Sequence, residues 1–514
     1  MANKEQFIAD INKGYSFKGT SFLLGKGMLD GSLVPETNVN IALKTLNRHG
    51  LISGATGTGK TKTLQVLGEA LSDASIPVVM MDIKGDLSGI AAAGAPNDKI
   101  NERVQQMGIS YAPAAYPVEL LSLSKEPGTR LRATVSEFGP VLLAKILGLN
   151  DTQESILAML FKYCDDHQMP LLDLQDLVKT LQWAANEGKQ ELGAAYGNIS
   201  AASVGTIMRK IIELQQQGAD TFFGEKSFEI DDLMRVSDDG RGMISIVRVT
   251  DLQDRPKLFS TFMLQMLSEL YATLPEAGDL DQPKLVMFID EAHLIFSDAT
   301  DVLVKQLETI IKLIRSKGVG IFFITQNPMD IAPAVLSQLG MKIQHALRAF
   351  TANDRKDIKL TAANYPETSY YKTEDLITQL GIGEALVTTL DEKGIPTPLV
   401  ATMICPPKSR MDILTADEID QLVAKSAIAA KYSQTINRES AYEMLTQKLQ
   451  TAATQSASAA GTKGAQQAQE KSVLETITDN PIAKSMMRTA GNMIVRSLLG
   501  SLGLGGRSSK KSFF

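Results

Sequence analysis

Gly54-Ala55-Thr56-Gly57-Thr58-Gly59-Lys60-Thr61 reads GATGTGKT, a glycine-rich octet that fits GxxxxGK[ST] at every fixed position. Its glycines let successive backbone N–H groups turn inward around an anion at the positive end of the next helix. The flanks agree with that reading. Leu51-Ile52 enters as the end of a strand, and TKTLQVLGEALSDA leaves with Leu64, Leu67 and Leu71 at helical spacing. IPVVMMDIKGD then supplies a second buried strand over 76–83, which completes a parallel βαβ unit. The octet is expected to cradle the triphosphate of ATP with Gly54, Ala55, Thr56, Gly57, Thr58, Gly59, Lys60 and Thr61, and with Thr63 just beyond. Lys60 brings a point charge to the β/γ-phosphates, and the Thr61 hydroxyl can ligate Mg2+.

Strand patterns return at MISIVRV (243–249), LVMFID (285–290) and VGIFFIT (319–325), with amphipathic helices between them. Such alternation predicts an α/β fold, a parallel sheet covered on both faces. The second of these strands ends in Asp290 and Glu291, adjacent carboxylates that are expensive at a strand end unless a cation or water chemistry uses them. Asp290 is expected to hold the magnesium shell, and Glu291 to polarise the attacking water as a general base. His293 reads as a packing or coupling residue. Gln326, in Thr325-Gln326-Asn327-Pro328, is expected to emerge beside the carboxylates and sense the γ-phosphate. Asp82 points to the same edge, where a capping role is open as well. Arg315, near the end of VLVKQLETIIKLIRSKG, either complements a helix dipole or reaches a neighbour's ATP as an arginine finger. Arg348 and Arg355 are further candidates for that work.

The chain divides by pattern. Residues 1–48 suggest a short β-element; 49–140 and 233–405 carry the α/β core; 141–232 read as a helical insertion. Beyond Pro406-Pro407, over 406–514, Thr415 and Glu418 make a capping-box start to a helix. Residues 452–469 have the composition of a flexible linker, and the stretch from Pro481 is basic and partly amphipathic, suited to a membrane surface or a protein partner.

Composition sets limits. The 514 residues are 44% hydrophobic and 21% charged, near the average for folded soluble chains. Lys and Arg total 52 against 58 Asp and Glu, a net charge of −6, so no global positive field draws in nucleic acid. Cys164 and Cys405 lie far apart, with no CxxC, which speaks against zinc and disulfides. MANKEQFIAD lacks the apolar core of a signal peptide, and a cytoplasmic location is expected.

NRHGLISGATGTGKT, MDIKGDLSG, LVMFIDEAHLIF, LIRSKGVGIFFITQNP and QHALRAFTANDRK, taken in order, resemble the HerA-like ATPases of the HerA/FtsK branch, close to the YjgR-type bacterial group. The resemblance covers about 40–405. It implies a RecA-like P-loop core, assembly of identical subunits into a hexameric ring, and ATP-driven movement along DNA as a translocase or helicase. It also places Lys60, Thr61, Asp290, Glu291, Gln326 and Arg315 in the roles argued above. The stretch before Gly54 is too short to supply in full the β-barrel through which HerA docks a nuclease, which leaves a nuclease partner doubtful. Two rivals fail on the sequence. Superfamily-two helicases share DEAH but need a second motor domain with a glycine- and arginine-rich motif, and ABC ATPases need LSGGQ before the carboxylate strand.

Overall fold

The computed structural model describes residues 4–123, 126–252, 255–296, 301–433, 436 and 438–461. Contacts divide the chain into two compact units, Met1–Gly148 with Leu214–Asn437, and Leu149–Glu213 with Arg438–Phe514.

In the first unit, thirteen strands among the described residues form one sheet. In chain order they are β1 Ser21–Leu29, β2 Ser32–Leu33, β3 Val39–Ala42, β4 Gly50–Ser53, β5 Val78–Asp82, β6 Val118–Ser122 and β7 Thr129–Arg130. Then come β8 Ile244–Arg248, β9 Leu285–Ile289, β10 Val319–Thr325, β11 Met341–Gln344, β12 Glu384–Thr388 and β13 Val400–Ile404. The central run β11-β4-β10-β9-β5-β8-β6-β7 is parallel throughout. Its strands β4, β5, β9 and β10 are buried at every residue, which is why they read as unbroken apolar runs rather than alternating ones. Phe322 is in register with Phe288 on one side and Gly50 on the other. The helix Lys60–Asp73 buries Leu64, Leu67 and Leu71 against this sheet. It approaches closely, since a Cβ on Gly68 would lie 2.1 Å from Met80 Cε.

The N-terminal stretch holds the short strands β1, β2 and β3 and, before them, a helix that was not expected. Lys4–Gly14 is a helix that buries Phe7 and Ile11, a pattern that two apolar residues four apart announce only faintly. β1 then pairs antiparallel with β13, Gly25 opposite Ile404, so the described part of this stretch extends the main sheet.

The second unit holds the helices Asp151–Asp166, Leu174–Ala185, Lys189–Ala195 and the described part of Ala441–Gly461. Its centre is aromatic. Tyr163 stacks on Trp183 with ring centroids 4.8 Å apart, and Asp176 accepts from Ser440 Oγ at 2.5 Å and Tyr442 N at 2.9 Å. The insertion is thus narrower than the 141–232 expected and includes a C-terminal helix. Residues 452–461, expected to begin a flexible linker, continue that helix, because alanine-rich sequence favours helix as readily as coil. The rest of that linker and the basic stretch from Pro481 lie outside the described residues. The capping box at Thr415 and Glu418 is present.

Candidate active site

Parallel strands deliver their C-terminal ends to one edge, and β4, β10, β9 and β5 lie side by side there. Each contributes a loop. Residues 54–61 leave β4, Gln326 follows β10, Asp290 and Glu291 follow β9, and Lys84 and Asp86 follow β5.

The glycine-rich loop is fixed from below. Gly54 N donates to Thr325 O at 3.3 Å, and Ala55 N to Ala346 O at 2.8 Å. Gly54 has φ 151° and Gly59 φ 117°, and a Cβ on Gly54 would fall 2.5 Å from His345 Cβ, so only glycine permits this path. Gly383 N donates to Thr58 O at 2.9 Å and closes the far side. Lys60 Nζ folds back onto Gly54 O at 2.5 Å and Ala55 O at 3.1 Å. Burial, and then Lys84, hold its ammonium below the usual range against the pull of Glu291, Asp290 and Asp86. Gln326 Oε1 accepts from Thr56 Oγ1 at 3.3 Å, which joins the β10 end to the loop.

The carboxylates crowd opposite. Asp290 is 5% exposed, and burial pushes its carboxyl up to about 6, with Lys84 opposing. Glu291 is also 5% exposed and stands at φ 47°. Its Oε1 is in direct contact with Lys84 Nζ, and its Oε2 lies 3.2 Å from His293 Nδ1. Asp82 accepts from Gly85 N at 2.7 Å and Asp86 N at 3.1 Å, so it caps the turn that presents Lys84.

Magnesium fits this donor set. Among the described residues no three His, Cys, Asp or Glu are grouped to hold a metal alone, but Mg2+ at a triphosphate needs only one or two protein oxygens beside phosphate and water. Thr61 Oγ1 donates to Asp86 Oδ2 at 3.1 Å, and Asp86 Oδ1 is buried without a hydrogen-bond partner. Thr61, Asp290 and Asp86 would hold the ion.

One expectation changes. Thr63 does not face the cradle; its hydroxyl lies 3.0 Å from His345 Nε2, buried behind the loop, because a residue two beyond Thr61 on the helix turns inward. Arg315 is not at this edge either. It lies in the turn Arg315–Lys317 that feeds β10 from the opposite end. Arg348 is exposed with Nη1 on Thr378 O at 3.0 Å, and Arg355 is exposed on the helix Ala352–Ala363. Sequence reasoning did not select Lys84, Asp86 or His345. The run Asp82-Ile83-Lys84-Gly85-Asp86 at a strand end was the available signal for the first two.

A RecA-like core with a nucleotide cradle facing paired carboxylates defines a P-loop ATPase that uses ATP and Mg2+. The model of the family "Helicase HerA-like C-terminal" matches residues 29–509, and the chain belongs to that family. It is similar to the DNA double-strand break repair helicase HerA of Sulfolobus acidocaldarius, 22% identical over 70% of this chain and 66% of that protein. The HerA helicase of Sulfurisphaera tokodaii is 24% identical over 70% of this chain and 66% of its own length. The chain therefore spans just under two thirds of these relatives. In fold it resembles the bacterial conjugative coupling protein TrwB, with TM-score 0.50 at 13% identity, over 80% of this chain and 94% of that one.

Proposed function

We propose that this chain is an ATP-hydrolysing motor that acts as a ring of its own copies, a hexamer, and drives a polymer. The observation that carries the reading is the convergence of Lys60, Thr61, Asp290, Glu291 and Gln326 at one sheet edge. Lys60 and the loop N–H groups hold the triphosphate, and Thr61, Asp290 and Asp86 would hold the magnesium ion. Bound Mg2+ supplies neutralisation of the phosphate charge. Glu291 takes a proton from water as its oxygen bonds to the γ-phosphorus; the bond to the β–γ bridging oxygen breaks, and ADP and phosphate leave. Gln326, already on Thr56, reads the γ-phosphate. Glu291 speaks against a nucleotide switch that barely turns over, since a carboxylate there has little use without hydrolysis.

Two cargoes are supported by different facts. DNA, moved by a translocase or helicase, is supported by the names of the HerA relatives, of which the chain covers 66%. Protein, remodelled or exported at a membrane surface, is supported within this chain by a net charge of −6 and by Lys484, Arg488, Arg496, Arg507, Lys510 and Lys511 in the stretch from Pro481. The protein reading therefore rests on the chain itself, and the DNA reading on its relatives. Membership of the YjgR-type group, which rests on the five motifs taken together, and a cytoplasmic site of action belong to the same proposal. Among the described residues no helix is long and apolar enough to cross a membrane.

The test is the ATPase rate alone, with single-stranded DNA, with duplex DNA, with an unfolded polypeptide and with anionic liposomes, beside a mass measurement. Stimulation by DNA alone selects the first cargo; stimulation by polypeptide or liposomes with indifference to DNA selects the second. A monomer that hydrolyses no ATP under any condition sinks both.

A further inference from the structure

Lys84 occupies a position that the hydrolysis scheme leaves without a task. It leaves the end of β5, the strand beside β9, and its Nζ reaches across to Glu291 Oε1. Glu291 Oε1 is thereby held in an ion pair, while Oε2 makes no hydrogen bond among the described residues and only lies 3.2 Å from His293 Nδ1. The oxygen held by the ammonium cannot at the same time receive the attacking water. Glu291 also stands at φ 47°, a left-handed backbone that costs a non-glycine residue about 1–2 kcal/mol. The turn is therefore held by its contacts, and Lys84 is one of them.

The contact does not read as a buried structural bridge. Glu291 is 6% exposed at the side chain but Lys84 is 31% exposed, so its long, flexible stem borders open space. The same charge cluster contains Lys60, Asp86, Asp290 and Glu291. Lys60 Nζ lies against the carbonyls of Gly54 and Ala55, on the loop side of the triphosphate. Lys84 is thus the ammonium that approaches the carboxylates from the β5 side, with Lys60 approaching from the loop. A γ-phosphate arriving between the loop and Asp290 would bring concentrated negative charge to a cation whose present partner is one carboxylate.

We propose that Lys84 is a γ-phosphate-responsive cation: without ATP it occupies Glu291, and with ATP it moves to the γ-phosphate and releases Glu291 to activate water. The inference rests on the ATPase reading and adds an ATP-triggered release of the base. ADP lacks the γ-phosphate and leaves Lys84 where it is. The nucleotide-free and ADP states are then protected from idle proton transfer at Glu291.

The experiment uses the full chain and equilibrium displacement of a fluorescent nucleotide by ADP·Mg2+ and by the slowly hydrolysed ATPγS·Mg2+, with circular dichroism to check folding. Lys84→Met should weaken ATPγS binding about 10- to 100-fold, the weight of one charge-assisted hydrogen bond, and leave ADP binding nearly unchanged. Lys84→Arg should recover most of the loss. A folded Lys84→Met protein with an unaltered ATPγS-to-ADP ratio overturns the inference, as does equal weakening of both nucleotides. Should Lys84→Met not fold, Glu291→Gln decides: freed of its partner, Lys84 should bind ATPγS more tightly with ADP unaffected, and parallel changes in both would again overturn it. A wild-type chain that binds neither nucleotide removes the ATPase reading itself, whereas wild-type binding with an insensitive ratio removes Lys84 alone.

Discussion

The Thr63 hydroxyl and His345 Nε2 meet 3.0 Å apart behind the glycine-rich loop, while His345 Nδ1 lies 2.8 Å from Glu384 O. Those contacts set the tautomer. Nδ1 carries the proton and donates to the carbonyl, and Nε2 accepts from the hydroxyl. The ring therefore ties the P-loop helix to β12 in its neutral form. His49 does similar work below the sheet, with Nε2 2.7 Å from Ile311 O and Nδ1 accepting from Ile321 N at 3.1 Å.

Burial pushes both imidazoles down to about 4 from an ordinary value of 6.5. In that window the unfolded chain binds more protons than the folded one, so each histidine's contribution is lost as pH falls from about 6.5 to about 4. Asp82 and Asp290 act in the other direction, since burial raises their carboxyls to about 7 and about 6. The difference between wild type and variant isolates the histidine. His345→Gln should lower stability at pH 7 by about 1–3 kcal/mol and flatten the acid limb relative to wild type, read by urea unfolding across pH 4–7. An unchanged limb would show that His345 titrates in the fold as it does in the unfolded chain.

Lys60→Ala should abolish productive ATP binding, because its ammonium is the cation already placed on the loop. Glu291→Gln should keep binding and lower turnover about 100- to 10,000-fold, the usual weight of a general base. Nucleotide titration and steady-state hydrolysis check both. Wild-type turnover in the Glu291 variant would take it out of the water-activating role.

Much of the site was legible because the chemistry is local in sequence. The octet at 54–61, Asp290-Glu291 and Gln326 each follow a strand that is buried at every residue, and unbroken apolar runs are easy to see. What escaped depends on pairing across the sheet. Lys84 matters because β5 lies beside β9, and His345 because β11 lies beside β4. Neither neighbour can be read from spacing. The N-terminal helix escaped for a different reason: Phe7 and Ile11 are a two-residue signal, and their burial is supplied by partners such as Tyr370, 5.0 Å from Phe7 between ring centroids, far along the chain.

Glu69, on the helix that begins at Lys60, is 4% exposed and accepts from Lys408 N at 2.8 Å, Ser409 N at 2.9 Å and Ser409 Oγ at 2.5 Å. It anchors the segment after Pro406-Pro407 to the P-loop helix. Glu69→Ala strands those donors and should cost about 2–4 kcal/mol, several donors each losing part of a hydrogen bond. Glu69→Gln should cost less, because the amide keeps one acceptor. Thermal or urea unfolding decides it, and equal stability of the alanine variant would mean the segment is held elsewhere.

The last prediction concerns Arg315. The turn Arg315–Lys317 precedes β10, and β10 runs seven residues before Thr325 O meets Gly54 N. At about 3.3 Å per residue the two ends are roughly 20 Å apart, beyond the reach of an arginine side chain. Arg315 also acts on His49, which stands just before β4 at that same far end. It cannot serve the ATP of its own chain. Yet charge develops as the γ-phosphate departs, and an exposed arginine on the opposite sheet edge is where a ring would present it to the next subunit. If so, Arg315→Ala folds and binds ATP but hydrolyses it on the order of 1,000- to 100,000-fold more slowly. Mixing Arg315→Ala with Glu291→Gln subunits should restore partial turnover, because some mixed interfaces pair an intact Glu291 with an intact Arg315. Each parent alone lacks that pair. Hybrid oligomers that stay as inactive as both parents, while dilution of either variant with wild type gives active rings, would remove Arg315 from the role and leave it as the cation at a helix C-terminus.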